Sequence, residues 1–266
     1  MINIDIFKES AKSPRHERDK GWCEDSIFQN RGDEGNIICL SDGCGSGEQP
    51  ELGAALLAKL GSTWLSQHHF DSVFKFYLTS LYDSLGITNY NDMLATLNHL
   101  HIVDNKATVT IVGDGCWFYQ TKSGTLHLHS IEFIGNAPHF IQYEMTNTDT
   151  DSMGFGLSYI DSFEEPRILP QQREWLDQAT SKRFTFEYNV DDLQLIGIAS
   201  DGLTSFINMD NTEAPLTAKQ ILERILNIKH PYGDFMKRAC KKTIQELWEE
   251  GLYHYDDLSI GVALLN

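Results

Sequence analysis

Ser41-Asp42-Gly43-Cys44-Gly45-Ser46-Gly47 follows Ile37-Ile38-Cys39-Leu40, an apolar run that predicts a buried strand. Glycines at 43, 45 and 47 let the backbone turn sharply and come close to a ligand. A carboxylate at such an exit points into the space beyond the strand end, where loops on a rigid scaffold carry function. Taken alone, the stretch reads first as a polar turn, because Asp-Gly is a frequent hairpin dipeptide. Repetition changes that weight. Ser200-Asp201-Gly202 closes the apolar run 193–199, Asp256-Asp257 opens the run 258–265, and Glu24-Asp25 stands before the short run 26–29.

Working outward, the chain predicts a strand over 2–7, a second over 26–29, a turn over 31–35 and then the strand before Asp42. Pro50 and apolar residues at 52, 56, 57, 60 and 64 predict an amphipathic helix. A second helix is expected from Asp71 as N-cap to Gly86 as stop, and a weaker third over 91–100. From residue 105 the period changes to that of strands. Runs at 107–112, 116–120, 125–134 and 140–143, split by Gly113-Asp114-Gly115 and Lys122-Ser123-Gly124, predict an antiparallel meander. Residues 145–180 read as a long irregular excursion. Strands resume at 183–188 and 193–199, helices at 217–229 and 232–249, and a last strand closes the chain. This order predicts an α+β fold: two packed, mainly antiparallel sheets flanked by helices, an α-β-β-α sandwich.

Composition narrows the class. The 266 residues, with 41% hydrophobic content, suffice for a core, and no Pro/Ser/Gly linker divides them, so one domain over 1–266 is expected. The net charge of −17 disfavours nucleic acid and anionic membranes as partners. Five cysteines without paired spacing predict reduced thiols and a cytoplasmic protein. The start of the chain does not read as a signal peptide, and no apolar run is long enough to span a bilayer. Arg15, His16, Arg18 and Lys20 gather positive charge just before Glu24-Asp25. Such a cluster suits an oxyanion such as phosphate; the plainer reading is a solvated loop.

The acids at strand boundaries carry the chemistry. Converging carboxylates repel, and hard divalent cations remove that cost. An oxygen-only ligand set without His or Cys selects Mg²⁺ or Mn²⁺ over zinc. Two such ions can activate a water and clamp a phosphate. The plainer reading is four unrelated turns.

The ordered set Glu24-Asp25, Asp42-Gly43-Cys44-Gly45, Ala107-Thr108, Ser200-Asp201-Gly202 and Asp256-Asp257 resembles the metal-dependent protein phosphatases of type 2C. The likeness runs over nearly the whole chain and is greatest to short bacterial stand-alone members, which often stand beside a kinase. It implies a serine/threonine protein phosphatase that hydrolyses phosphoprotein monoesters through a metal-bridged hydroxide, without a phosphoenzyme. Asp42 bridges the two metals in that scheme. Asp201 and Asp256 complete one ion, Glu24 and the Gly43 carbonyl help hold the other, and Asp25 orients water. Asp104, four residues before Thr108, is expected to hold a third, weaker ion together with Asp201. A phosphoprotein substrate, a cognate Ser/Thr kinase and a monomeric state belong to the same expectation.

Three departures accompany the likeness. Lys20 stands where the family usually has an Arg that grips phosphate, and Lys lacks the bidentate fork, so Arg18 or Arg15 is an alternative. Cys44 stands where many members have His. Gly135-Asn136-Ala137 looks like an altered form of the family's internal Gly-Asp-Ser turn. The competing reading is a catalytically weak or inactive module that binds phosphoproteins as a scaffold. A cysteine phosphatase is disfavoured, since no Cys is followed six residues later by Arg.

Overall fold

The computed structural model of the protein describes residues 2–11, 22–32, 35–64, 72–133, 138–145, 157–162, 183–208 and 216–265. Strands β1 (Asn3–Glu9), β2 (Ser26–Gly32) and β3 (Gly35–Ser41) are followed by helices α1 (Pro50–Trp64) and α2 (Ser72–Ser84). Next come β4 (Leu97–Val103), β5 (Lys106–Val112), β6 (Gly115–Thr121) and β7 (Leu126–Phe133). Helix α3 (Ile141–Met145), β8 (Leu157–Ser162), β9 (Arg183–Asn189), β10 (Leu193–Ala199) and β11 (Phe206–Asn208) follow. Helices α4 (Ala218–Ile225) and α5 (Phe235–Glu249) precede β12 (Leu252–His254) and β13 (Leu258–Leu264).

These strands form a five-stranded sheet in the order β2-β3-β4-β5-β9, a six-stranded sheet in the order β1-β13-β10-β6-β7-β8, and the small pair β11-β12. Every pairing is antiparallel. Side-chain alternation sets the layers. On β3, Ile38 and Leu40 pack with Ile4, Ile198 and Ala263 of the other sheet, while Cys39 between them packs with Ala54 and Leu57 of α1. On the six-stranded sheet, Ile196 and Ile198 face inward, whereas Leu195 and Ala199 face Ile221, Phe235 and Ile244 of α4 and α5. The result is the expected α-β-β-α sandwich, with an apolar core between the sheets and one under each helical layer. Helix α4 starts on a reciprocal cap: Thr217 Oγ1 accepts from Gln220 N at 3.2 Å and Gln220 Oε1 accepts from Thr217 N at 2.9 Å.

Four local expectations change. The helix expected over 91–100 is a 3-10 turn, Tyr90–Met93, followed by β4. There the alternation of Leu97, His99 and His101 with Asn98, Leu100 and Ile102 wins, because β3 and β5 pair with β4 on both sides. The strand expected over 140–143 is the start of α3. The meander is broken: β5 and β6 lie in different sheets. The link Gly113-Asp114 crosses between the sheets, with φ of 94° at Gly113 and 135° at Gly115 that side chains rarely adopt. Within the span read as irregular, Leu157–Ser162 forms an edge strand. Asp71, the expected N-cap of α2, lies outside the described residues.

Candidate active site

One end of the sandwich collects the acids. Strand β3 leaves its sheet beside the start of β2, since Ser41 pairs with Ser26, and this sets Asp42 next to Glu24-Asp25. In the other sheet β10 leaves beside the start of β13, with Ala199 opposite Ile260, and sets the 3-10 turn Asp201–Thr204 next to Asp256-Asp257. Both exits need glycine for space. A Cβ on Gly43 would stand 2.6 Å from the Pro50 carbonyl oxygen and 2.9 Å from that of Glu24. A Cβ on Gly202 would stand 1.9 Å from the Asp257 carbonyl oxygen.

Thr96, just before β4, fixes the exit of β3. Its Oγ1 accepts from Asp42 N at 3.1 Å, its N donates to Asp42 O at 2.8 Å, and its carbonyl accepts from Ser41 Oγ at 2.6 Å. The glycine-rich loop continues along the same turn, where Cys44 N donates to Leu94 O at 2.8 Å and Gln49 N to Asp92 O at 3.0 Å. Cys44 Sγ lies 3.0 Å from Ser46 Oγ.

Burial and mutual charge dominate the electrostatics. Asp25 is fully buried. Burial, then the charges of Asp257 and Asp201, push its carboxyl well above the ordinary range. The Ser200 and Ser259 hydroxyls stand near enough to pull the other way. Yet Ser200 Oγ donates to Asp257 O at 3.1 Å, and neither Asp25 oxygen meets an aligned donor among the described residues. Asp42 is likewise pushed well up by burial, then by Asp25, Asp201, Asp114 and Asp256. Asp201 is raised by burial, with opposing hydrogen bonds from Asp42 and the Gly202 amide, and its Oδ1 has no donor among the described residues.

Buried carboxylate oxygens without donors, raised by each other's charge, fit a hard divalent cation. The donor set is all oxygen. Among the described residues, no three acidic, His or Cys side chains already form a closed ligand cage. The cluster is therefore held at Coulomb range rather than as a finished coordination shell.

The expected residues divide clearly. Asp25, Asp42, Asp201 and Asp256 come together, and half-buried Glu24 touches the Gly43 backbone. Lys20, Arg18, Arg15 and the Gly135-Asn136-Ala137 turn lie outside the described residues. Asp104 does not reach the site. It sits at φ 51° in the β4–β5 hairpin, whereas Asp42 adjoins the opposite end of β4, a seven-residue strand or about 20 Å away. Thr108 pairs with His101 in mid-strand, about 16 Å along β4 from Thr96, and so is also removed from Asp42. The structure supplies two other residues. Thr96 takes the bonding role at Asp42, and Asp114, in the crossing between sheets, is the acid whose charge reaches it. The signal for Asp114 was weak: it follows the apolar run 107–112 and precedes a glycine, as Asp42 does, but Gly113-Asp114-Gly115 reads equally as a turn.

This fold accords with the comparisons. The sequence profile of the protein phosphatase 2C family matches residues 13–245, and the chain belongs to that family. Asp256 and Asp257 lie just beyond the matched span. Among solved structures, the chain is similar to the serine/threonine phosphatase Stp1 from Staphylococcus aureus, at 14% identity, TM-score 0.57, covering 100% of this chain and 96% of that one. It is similar to the S. agalactiae serine/threonine phosphatase, at 16% identity and TM-score 0.55 over 100% of both chains. A third likeness is to the Mycobacterium tuberculosis serine/threonine phosphatase PstP/Ppp, at 14% identity and TM-score 0.52, covering 100% and 99%. At these identities the likeness is one of fold. A sequence search among curated proteins finds no match.

Proposed function

We propose that the protein is a Mn²⁺- or Mg²⁺-dependent phosphatase of phosphoserine and phosphothreonine in proteins, with residues 1–266 acting as one domain. The observation that carries this reading is the convergence of buried Asp25 with half-buried Asp42 and Asp201 at one end of the sandwich, where both Asp25 oxygens and Asp201 Oδ1 lack donors among the described residues. Two divalent ions, when bound, would supply a water of lowered pKa and positive charge for the phosphoryl oxygens. Asp42, central in the set, would be a ligand of the ions. Asp201 and Asp256 would hold from the six-stranded sheet, and Glu24 and the Gly43 carbonyl from the five-stranded sheet. Asp25 would orient water. Asp114 is a further acid at the rim of this set. Lys20 or Arg18 grips the substrate phosphate. No helix among the described residues is long and apolar enough to cross a membrane. We place the protein in the cytoplasm as a monomer, with a cognate kinase as opposing partner.

Lys20 in place of a forked Arg keeps one competing reading, a phosphoprotein-binding module without turnover. Hydrolysis of para-nitrophenyl phosphate and of phosphoserine and phosphothreonine peptides by pure protein decides between them. The phosphatase reading expects turnover with Mn²⁺ or Mg²⁺ and none after chelator. Turnover surviving exhaustive dialysis against chelator overturns the metal dependence. Phosphopeptide binding without turnover at saturating metal favours the module.

A further inference from the structure

Asp257 is 6% exposed, and both oxygens of its carboxylate are taken by main-chain amides from outside its own strand. Oδ2 accepts from Glu24 N at 2.5 Å and Oδ1 accepts from Ala11 N at 2.7 Å. Neither amide has a ladder partner, because β1 ends at Glu9 and β2 begins at Ser26. A buried amide left without an acceptor is costly, and an ionised acceptor gives a shorter, stronger bond than a neutral one. From the other side, Lys8 Nζ donates to Asp25 O at 3.1 Å, and Lys8 itself is paired to Ser259 of β13. The chain leaving β1 and the chain entering β2 are thus drawn together at the root of the last strand.

We infer that Asp257 is a positioning residue: its carboxylate clasps the amides of Glu24 and Ala11 and so sets Glu24 and Asp25 against Asp42. This division of labour separates it from Asp256, whose Oδ1 accepts from Asp257 N at 2.9 Å and whose charge reaches Asp42 in the acid cluster. The catalytic consequence rests on the phosphatase reading; the clasp itself does not. Two N–H donors demand two acceptors. Asn at 257 would offer one oxygen and one NH₂, so one amide would lose its partner; Ala would release both.

The test is amide hydrogen exchange in Asp257→Asn and Asp257→Ala, alongside Mn²⁺ calorimetry and ester hydrolysis. The clasp expects exchange at Glu24 or Ala11 to quicken at least tenfold in Asp257→Asn and at both in Asp257→Ala, while core amides of Ile198 and Val262 keep their protection. Support around a ligand typically changes metal affinity or activity by about 10–100-fold. Mn²⁺ should accordingly bind Asp257→Asn with unchanged stoichiometry and that loss in affinity, with kcat falling more than KM rises. Asp256→Asn should instead lose a bound ion. If Asp257→Ala does not fold, Asp257→Asn carries the exchange measurement alone. Unchanged protection of both amides, or loss of a bound ion in Asp257→Asn, overturns the inference. Quickened exchange in a protein whose wild type neither binds Mn²⁺ nor cleaves phosphate esters upholds the clasp and removes the phosphatase reading instead.

Discussion

At Thr96 an uncharged side chain decides where a charged one sits, because its hydroxyl accepts the Asp42 amide at the mouth of the acid cluster. Thr96→Val keeps the shape and removes the acceptor. Leaving a buried amide unpaired costs about 1–3 kcal/mol, and loosened support of a ligand typically lowers activity about 10–100-fold. Thermal melts and para-nitrophenyl phosphate turnover should show both losses in Thr96→Val, and neither in Thr108→Val. Equal turnover in the two variants would remove Thr96 from the site. The carboxylates themselves allow a stronger expectation: Asp42→Asn and Asp201→Asn should each lose turnover by several orders of magnitude with the fold intact. Near-normal kcat in either refutes the ligand assignment. The sequence made Asp42, Asp201 and Asp256 legible because each adjoins an apolar run that must be buried. It could not separate Asp104 from Asp114. Both stand in turn sequences, and what separates them is which strands pair, a non-local fact.

Among the elements, short α3 does more than its five residues suggest. Gln142 Nε2 donates to Met93 O at 2.6 Å, bracing the 3-10 turn that leads to Thr96. Glu144 closes the other side, bonded to Lys75 of α2, to Arg183 Nη2 of β9 at 2.6 Å, and facing His139 Nε2 at 3.4 Å. Burial pushes the Glu144 carboxyl up, but His139, Lys75 and Arg183 outweigh it and hold it well below the ordinary range. A depressed acid contributes its stability above its ordinary value, here 4.5, and loses it as pH falls toward the folded value. Glu144→Gln should therefore cost about 1–3 kcal/mol near neutrality, and the gap in Tm from wild type should close as pH drops below 4.5. Melts from pH 7 to 3 check it; a gap that widens on acidification contradicts the ion network. Such joints explain why this region was poorly legible. Residues 140–143 carry too few turns for a helical period to emerge, and their helix is fixed by Gln142 and Ile141 packing against distant partners. Residues 91–100 read as a weak helix until pairing on both flanks of β4 is known. Long strands and α1, α4 and α5, by contrast, were legible from periodicity alone.

On the scale of the whole molecule, two sheets with their own apolar faces force the acids of five chain segments to one end, in a chain already carrying a net charge of −17. The sandwich tolerates this because the apolar core between the sheets is continuous from Ile4 and Ile27 to Ile196 and Ala263. The repulsion remains as a local deficit that a bound cation removes, so metal and stability should be linked. At a metal concentration of about 100 times Kd, binding to the folded state alone adds about 2.7 kcal/mol. For a chain of this size that corresponds to a rise in Tm of roughly 5–10 °C. Buried acids are poorly screened by salt, so the same ionic strength of a monovalent salt should give little of that rise. In Asp42→Asn the metal-free protein should melt slightly above wild type, because one buried charge is gone, and Mn²⁺ should raise its Tm far less. Calorimetric scans of wild type and Asp42→Asn, each with chelator, with Mn²⁺ and with matched monovalent salt, measure all three terms. A wild-type Tm that Mn²⁺ leaves unmoved, or a metal-free Asp42→Asn that melts well below wild type, would mean that the acids are not a repelling cluster awaiting a cation.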